Sequence, residues 1–207
     1  MKISILNLIP RFIDETTQQS INRGLELAKW ADGQNFERYW VAEHHNSKSI
    51  SCSATDLIIG YILENTQRIK VGAGGVMLPN HTPFQVAERY GTLETLYPDR
   101  VDLGIGRAPG TDIETAKLIY RDTYKEDNFK EAIRTLLSYF EEEAENFNVR
   151  PYPGVGTHVP VYILGSSMTS AHIAAQLGLP YSFAGHFSPN TVEVALKIYR
   201  EEFTPSK

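Results

Sequence analysis

Hydrophobic positions along this chain follow two periods in alternation. Short apolar or β-branched runs at residues 3–8, 38–42, 69–74, 101–105, 161–164 and 181–184 have the length of strands. Between them lie longer segments whose apolar residues recur every three or four positions, the period of a helix with one buried face. In 16–33 that face carries Ile21, Leu25 and Ala28, with Gly33 as a stop. A second helix is expected at 54–64, and a third at 83–96, opened by Pro83 with Val86, Tyr90 and Leu93 on its stripe. Between 106 and 160 the regular spacing breaks. This stretch holds one clear helix, 128–140, with Phe129, Ile133, Leu136 and Phe140 on one face, and an irregular segment, RPYPGVGTHVP, at 150–160. The alternation then resumes with an Ala-rich helix at 169–177 and a last one at 191–203, where Val192, Leu196, Tyr199 and Phe203 face inward.

Strands that alternate with helices predict a parallel α/β sheet. Two architectures accommodate six such units. One is a TIM (β/α)8-type barrel that stops short of the eight units needed for closure. The other is an open doubly wound sheet, which normally carries a Gly-rich phosphate loop after its first strand. Here that connection reads LIPRFIDET, without glycine. The pattern alone leaves both open. No linker or low-complexity stretch divides the chain, so 1–207 is read as a single domain.

Composition narrows the function classes. With 207 residues, 42% of them hydrophobic, the chain has material for one substantial core. A formal net charge of -5 gives no basic footprint for nucleic acid, and no Lys/Arg run marks a membrane surface. Cys52 is the sole cysteine, which excludes an internal disulfide and a thiol-based zinc site. The apolar start is short and cut by Asn7 and Pro10, so neither a signal peptide nor a spanning helix is expected and the reading is cytoplasmic. A small molecule or another protein is the expected partner.

Three stretches carry candidate chemistry. YWVAEHHN at 39–46 puts Glu43, His44 and His45 directly after the second strand, at the rim where barrel enzymes keep their reacting groups. The histidine spacing is not that of HExxH, and no metal is expected. The second stretch, 71–110, places Gly72, Gly74 and Gly75 at the end of strand three and Gly104, Gly106 and Gly110 around strand four. Glycines there let a planar ligand or another backbone approach closely. Arg107 adds a planar cation suited to a phosphate. GIGRAPG lacks the third glycine of a dinucleotide loop. In the third stretch, VYILGSSMTSAHIAAQLGLP, residues Gly165, Ser166, Ser167, Thr169 and Ser170 precede or open a helix. They offer either an anion site or ordinary N-capping.

In order, AEHHN, VGAGGVMLP with HTPFQVAER, DRVDLGIGR and LGSS…LGLPYSFAGHF resemble the bacterial luciferase-like, flavin-dependent monooxygenase family. The resemblance implies a (β/α)8 barrel, FMN supplied in reduced form by a separate flavin reductase, O2 as co-substrate and a homo-oligomer, usually a dimer. By position, it implies that His44 is the catalytic histidine beside the reactive flavin edge. Gly74 and Gly75 would lie against the isoalloxazine ring, where relatives often carry a non-proline cis peptide. Arg107, Ser166 and Thr169, with Gly165, would hold the phosphate. His45 and His186 are read as substrate-pocket residues. Tyr39 and Trp40 are read as core, His81 and His158 as loop or solvent residues, and His172 as structural.

Two features depart from the family pattern. Light-emitting members often have a reactive cysteine beside the strand-four arginine; here that position is Gly106, so light emission is not implied. Relatives also continue for two further βα units. Three readings follow: an oxygenase acting on a small organic substrate such as an aldehyde, a non-catalytic FMN-binding remnant or fragment of a longer enzyme, or a deazaflavin-dependent oxidoreductase. Open edges on a six-strand barrel also suggest an obligate oligomer joined through the first strand or residues 181–203.

Overall fold

A computed structural model describes residues 1–119 and 126–206. Its strands are β1 (Ser4–Asn7), β2 (Arg38–Val41), β3 (Lys70–Met77), β4 (Val101–Gly106), β5 (Val161–Gly165) and β6 (Tyr181–Phe183). The helices are α1 (Thr17–Gly33), α2 (Thr55–Glu64), α3 (Pro83–Leu96), α4 (Ile113–Ile119), α5 (Glu126–Phe140), α6 (Met168–Leu177) and α7 (Val192–Glu202). The strands form one sheet in the order β1-β2-β3-β4-β5-β6, each pair parallel. A doubly wound sheet reverses its strand order at a switch point. This sheet never reverses, so it is a parallel half-barrel.

Local chemistry sets the helix ends. Thr16 caps α1 through a capping box with Gln19, Thr82 caps α3 ahead of Pro83, and Ser167 caps α6. Gly178, at φ 65°, ends α6 in the left-handed region. Two elements differ from the sequence reading. Helix α4 buries no residue and so shows no apolar stripe to read; Asp112 starts it by accepting the Thr115 amide at 2.9 Å. Strand β3 runs three residues past the expected end at 74, because its glycines hide the strand from propensity.

Side chains alternate across each strand, and the two faces have different jobs. Tyr39, Val41, Val71, Ala73, Val101, Leu103, Ile105, Val161 and Ile163 point outward into the core and are buried against Ile59, Ile62, Tyr90, Ile133 and Leu136 of the helices. The inward face carries a polar and aromatic set. The carboxylate of fully buried Asp102 accepts the Trp40 indole N–H at 3.0 Å and has Arg38 Nε 2.9 Å away. Arg38 also donates to the Tyr162 hydroxyl at 3.0 Å, and the Trp40 and Tyr162 rings meet edge to face at 5.1 Å.

The irregular segment around 150–156 is fixed by close packing on α3. A Cβ placed on Gly91 would lie 2.2 Å from Gly154 Cα and 2.6 Å from Gly154 N. Gly91→Ala gains up to about 1 kcal/mol of helix propensity but overpacks backbone against backbone, a change that costs about 1–3 kcal/mol. The expected net result is a loss of stability in urea unfolding. A variant as stable as wild type would show that this contact gives way freely.

Candidate functional site

The C-terminal ends of the strands and the loops that follow them surround a cavity of about 1120 Å3 on the inward face. His44, Gly74, Gly75, Arg107, Gly165, Ser166 and His186 all line it, so one space gathers residues of β3 and β5 and of the loops after β2, β4, β5 and β6. Trp40, Met77, Ser167 and Ser170 line it as well. His45 and Thr169 are not among the lining residues.

The wall beside the His44 loop is made of backbone, with the Glu43 N–H donating to the Gly75 carbonyl at 3.1 Å. The Gly74–Gly75 peptide is cis, and the pairing of β3 with β4 shifts by one residue between Gly74 and Val76. Two consecutive residues therefore face the cavity where ordinary alternation would show one. A Cβ on Gly74 would come within 2.8 Å of the Trp40 ring, and one on Gly75 within 2.8 Å of the Gly104 carbonyl oxygen. Trp40, read from sequence as core, closes the cavity behind Gly74 instead.

His44 is tied by its backbone N–H to the Cys52 carbonyl at 2.8 Å, and its Nδ1 lies 3.3 Å from the Ala42 carbonyl. A carbonyl only accepts, so Nδ1 carries a proton, and in the neutral ring the lone pair is on Nε2. Cys52 is fully buried, and burial, with the Glu43 charge nearby, pushes its thiol up to about 12.

Under the rim lies a cluster that the sequence did not foreshadow. Glu43, 1% exposed, accepts His45 Nε2 at 2.6 Å, Asn80 Nδ2 at 3.0 Å, the Met77 amide at 2.9 Å and His81 Nε2 at 3.0 Å from each carboxylate oxygen. Burial alone would raise the Glu43 carboxyl, but the hydrogen bonds from His45, His81 and Asn80 outweigh it and hold the group at about 2. The hydrogen bond to Glu43 raises His45 above the ordinary imidazole value against the opposing effect of its burial. His81, expected as a loop or solvent residue, belongs to this cluster, and His45 belongs here and not to the pocket. Among the described residues no group of three His, Cys, Asp or Glu side chains could hold a metal ion, so this is a hydrogen-bonded cluster.

At the far side of the cavity, α6 presents its N-terminus. Ser167 Oγ accepts the Ser170 amide at 3.3 Å, and the Ser170 and Tyr181 hydroxyls meet at 2.9 Å. The helix starts at Met168, one residue earlier than expected. Ser170 lines the cavity, whereas Thr169 does not. His186 stacks on Phe187 with ring centroids 4.2 Å apart. The other histidines lie elsewhere: His172 joins α6 to Glu202 of α7 at 2.6 Å, and His158 is exposed beside Glu141. No helix among the described residues is long and apolar enough to cross a membrane.

Comparison with known proteins gives a consistent picture. Residues 1–205 match the family described as luciferase-like monooxygenase. A luciferase-like monooxygenase of Escherichia coli K12 is 46% identical over 204 residues, which are 98% of this chain and 61% of that protein. The crystal structure of apo-MsnO8 superposes with a TM-score of 0.93 at 34% identity, covering 100% of this chain and 62% of that one. The FMN complex of the oxygenating constituent of 3,6-diketocamphane monooxygenase of Pseudomonas putida shares the fold, with a TM-score of 0.79 at 17% identity over 100% of this chain and 65% of that one. The chain spans about 60% of the length of the curated relatives it matches.

The Glu43–His45 pair has a pH signature. Glu43 sits below its ordinary value, so its contribution to stability is complete above about pH 4.5 and is lost as pH falls through about 2. His45 sits above its ordinary value, so its contribution is complete below about pH 6.5 and is lost as pH rises through the raised value. The pair therefore stabilises most between about pH 4.5 and 6.5. In urea unfolding, the stability difference between wild type and His45→Gln should be larger at pH 5.5 than at pH 8.5. A difference independent of pH would mean that the pair is not ionic.

Proposed function

The chain belongs to the luciferase-like monooxygenase family, and on that premise we propose that it binds FMN in the half-barrel cavity and oxidises a small organic substrate, such as an aldehyde, with O2. A separate flavin reductase supplies the FMN in reduced form. The observation that carries this reading is the pairing, in one cavity, of a side-chain-free wall with a hydroxyl-rich helix N-terminus. A flavin needs both.

The residues present fit such a ligand. Gly74 and Gly75 offer a surface without Cβ atoms to the flat face of a ring, backed by Trp40. The first amides of a helix lack internal partners, and α6 directs its own toward the cavity together with Ser166, Ser167 and Ser170. Thr169, in the first turn of α6, contributes its backbone amide to this end of the helix. Arg107, half-buried at the end of β4, supplies the cation for a phosphate. When bound, reduced FMN supplies the two electrons with which one atom of O2 enters the substrate and the other leaves as water. His44 accepts or gives a proton at Nε2, the nitrogen that the Ala42 carbonyl leaves with its lone pair. Met77, Phe129 and the exposed Phe187, which also line the cavity, offer contact to an apolar substrate.

The direct test is oxygen uptake with NAD(P)H and an added flavin reductase, run against a panel of alkanals with products identified by mass spectrometry. Transfer of one labelled oxygen atom from O2 to a product supports the reading. Hydride transfer from a reduced deazaflavin with no oxygen uptake would overturn it.

Two substitutions divide binding from turnover. Arg107→Ala should weaken FMN binding by about 1.5–3 kcal/mol, the scale of a charge-assisted hydrogen bond, as read by quenching of flavin fluorescence. An unchanged dissociation constant removes Arg107 from the phosphate site. His44→Ala should retain FMN and lose about 10²–10⁴-fold in coupled oxygenation. Full activity in that variant would exclude His44 as the catalyst.

A further inference from the structure

Glu43 has no part in the proposed proton transfer, yet it is the enclosed carboxylate of the His44 loop. Its backbone N–H donates to the Gly75 carbonyl at 3.1 Å, and its side chain accepts the Met77 amide at 2.9 Å. One residue thus grips the cavity wall at two points, on either side of Val76. The partners of its carboxylate extend the grip. Asn80 Nδ2 donates to the Pro109 carbonyl at 3.1 Å, and the His45 amide donates to the Gly110 carbonyl at 2.9 Å. The loop after β2, the end of β3 with the turn that follows it, and the loop after β4 all meet at this group, and His44, Met77 and residues 107–110 carry them to the cavity wall.

The chemistry of the cluster requires a carboxylate. Met77 N–H, Asn80 Nδ2 and the two imidazole Nε2 atoms present donors, and only an acceptor with two oxygens can face them all. A glutamine at 43 keeps the shape but turns an NH2 toward a donor. In a site closed to water that mismatch is not relieved by solvent. His44 is the next residue in the chain, and its ring rests on the Ala42 carbonyl just before Glu43. A shift of residue 43 therefore moves both supports of the His44 ring.

We propose that Glu43 is a positioning residue for His44: its carboxylate, gathered by His45, His81, Asn80 and the Met77 amide, sets the spacing between the His44 ring and the Gly74–Gly75 wall and keeps the His44 proton on Nδ1. The structural half of this inference stands on hydrogen bonds alone. Its effect on turnover rests on the flavin reading above.

The test uses the full chain with 15N-labelled histidine, observed by NMR, beside FMN titration and coupled turnover. Wild type should show His44 as the Nδ1–H tautomer and two downfield Nε2–H protons from His45 and His81. Glu43→Gln should lose the downfield protons and convert His44 to a mixture of tautomers. Misplacement of about 1 Å costs on the order of 10²-fold in rate, so kcat should fall about that far while FMN affinity changes by less than about threefold. His81 gives a milder pair of variants should Glu43→Gln fail to fold. His81→Gln retains an N–H donor near the Nε2 position and should preserve the His44 signature, whereas His81→Leu removes the donor and should lose it. Folded Glu43→Gln and His81→Leu proteins with lower melting temperatures but a wild-type His44 tautomer would reduce Glu43 to a structural part and overturn the proposal. Histidine changes as expected in a chain that binds no FMN would sink the flavin reading and leave the positioning role standing.

Discussion

A carboxylate removed from water must find its hydrogen bonds inside the protein, and the rim of this half-barrel is organised around that requirement. Glu43 is 1% exposed, and its oxygens are met by donors from the β2–α2 loop and from the turn that follows β3, with one of those donors reaching on to the loop after β4. Those loops come from separate parts of the sequence. The buried charge gives them a common fixed point. The position of His44, the course of Gly75–Met77 and the path of 107–110 all follow from it. Removing one partner from such a cluster leaves a buried carboxylate oxygen short of a donor.

The sheet behind this rim separates two tasks by the alternation of its side chains. Outward residues such as Tyr39, Val41, Leu103 and Ile163 are fully buried and hold the helices. Inward residues such as Arg38, Trp40 and Tyr162 form a layer joined by hydrogen bonds and an edge-to-face ring contact that lines the cavity. Among the described residues, strand register shifts between β3 and β4, and there the cavity gains its bare backbone wall.

Most of the fold was legible because it rests on local periodicity. All six strands and the helices with buried stripes were recognisable from apolar spacing, and the helix starts from Thr16 and Pro83. What escaped lacked a local signal. Helix α4 buries nothing, so no stripe announces it. The end of β3 is written in glycines that disfavour strands by propensity. His81 looks like a loop residue because its partner, Glu43, lies 38 positions away in sequence. Trp40 looks like core because an inward aromatic on a strand cannot be told from an outward one without knowing the phase of the sheet. The order of the motifs pointed to His44, Gly74, Gly75 and Arg107, whereas the hydroxyl run at 166–170 did not tell which of Thr169 and Ser170 would line the cavity.

Because one strand residue serves the core and the next serves the cavity, the count of residues within each strand is the quantity that natural variation has least freedom to alter. A single insertion in β2 would turn Arg38 and Trp40 toward the helices and expose Tyr39 and Val41 inside the cavity. Substitution, by contrast, can proceed on one face with little effect on the other, and loops beyond the strand ends can change length without disturbing either. Divergence in such a chain is therefore expected to be written as exchanged inward side chains and altered loop lengths on strands of constant length. A lineage could change what its cavity admits while the machinery that folds it stays the same.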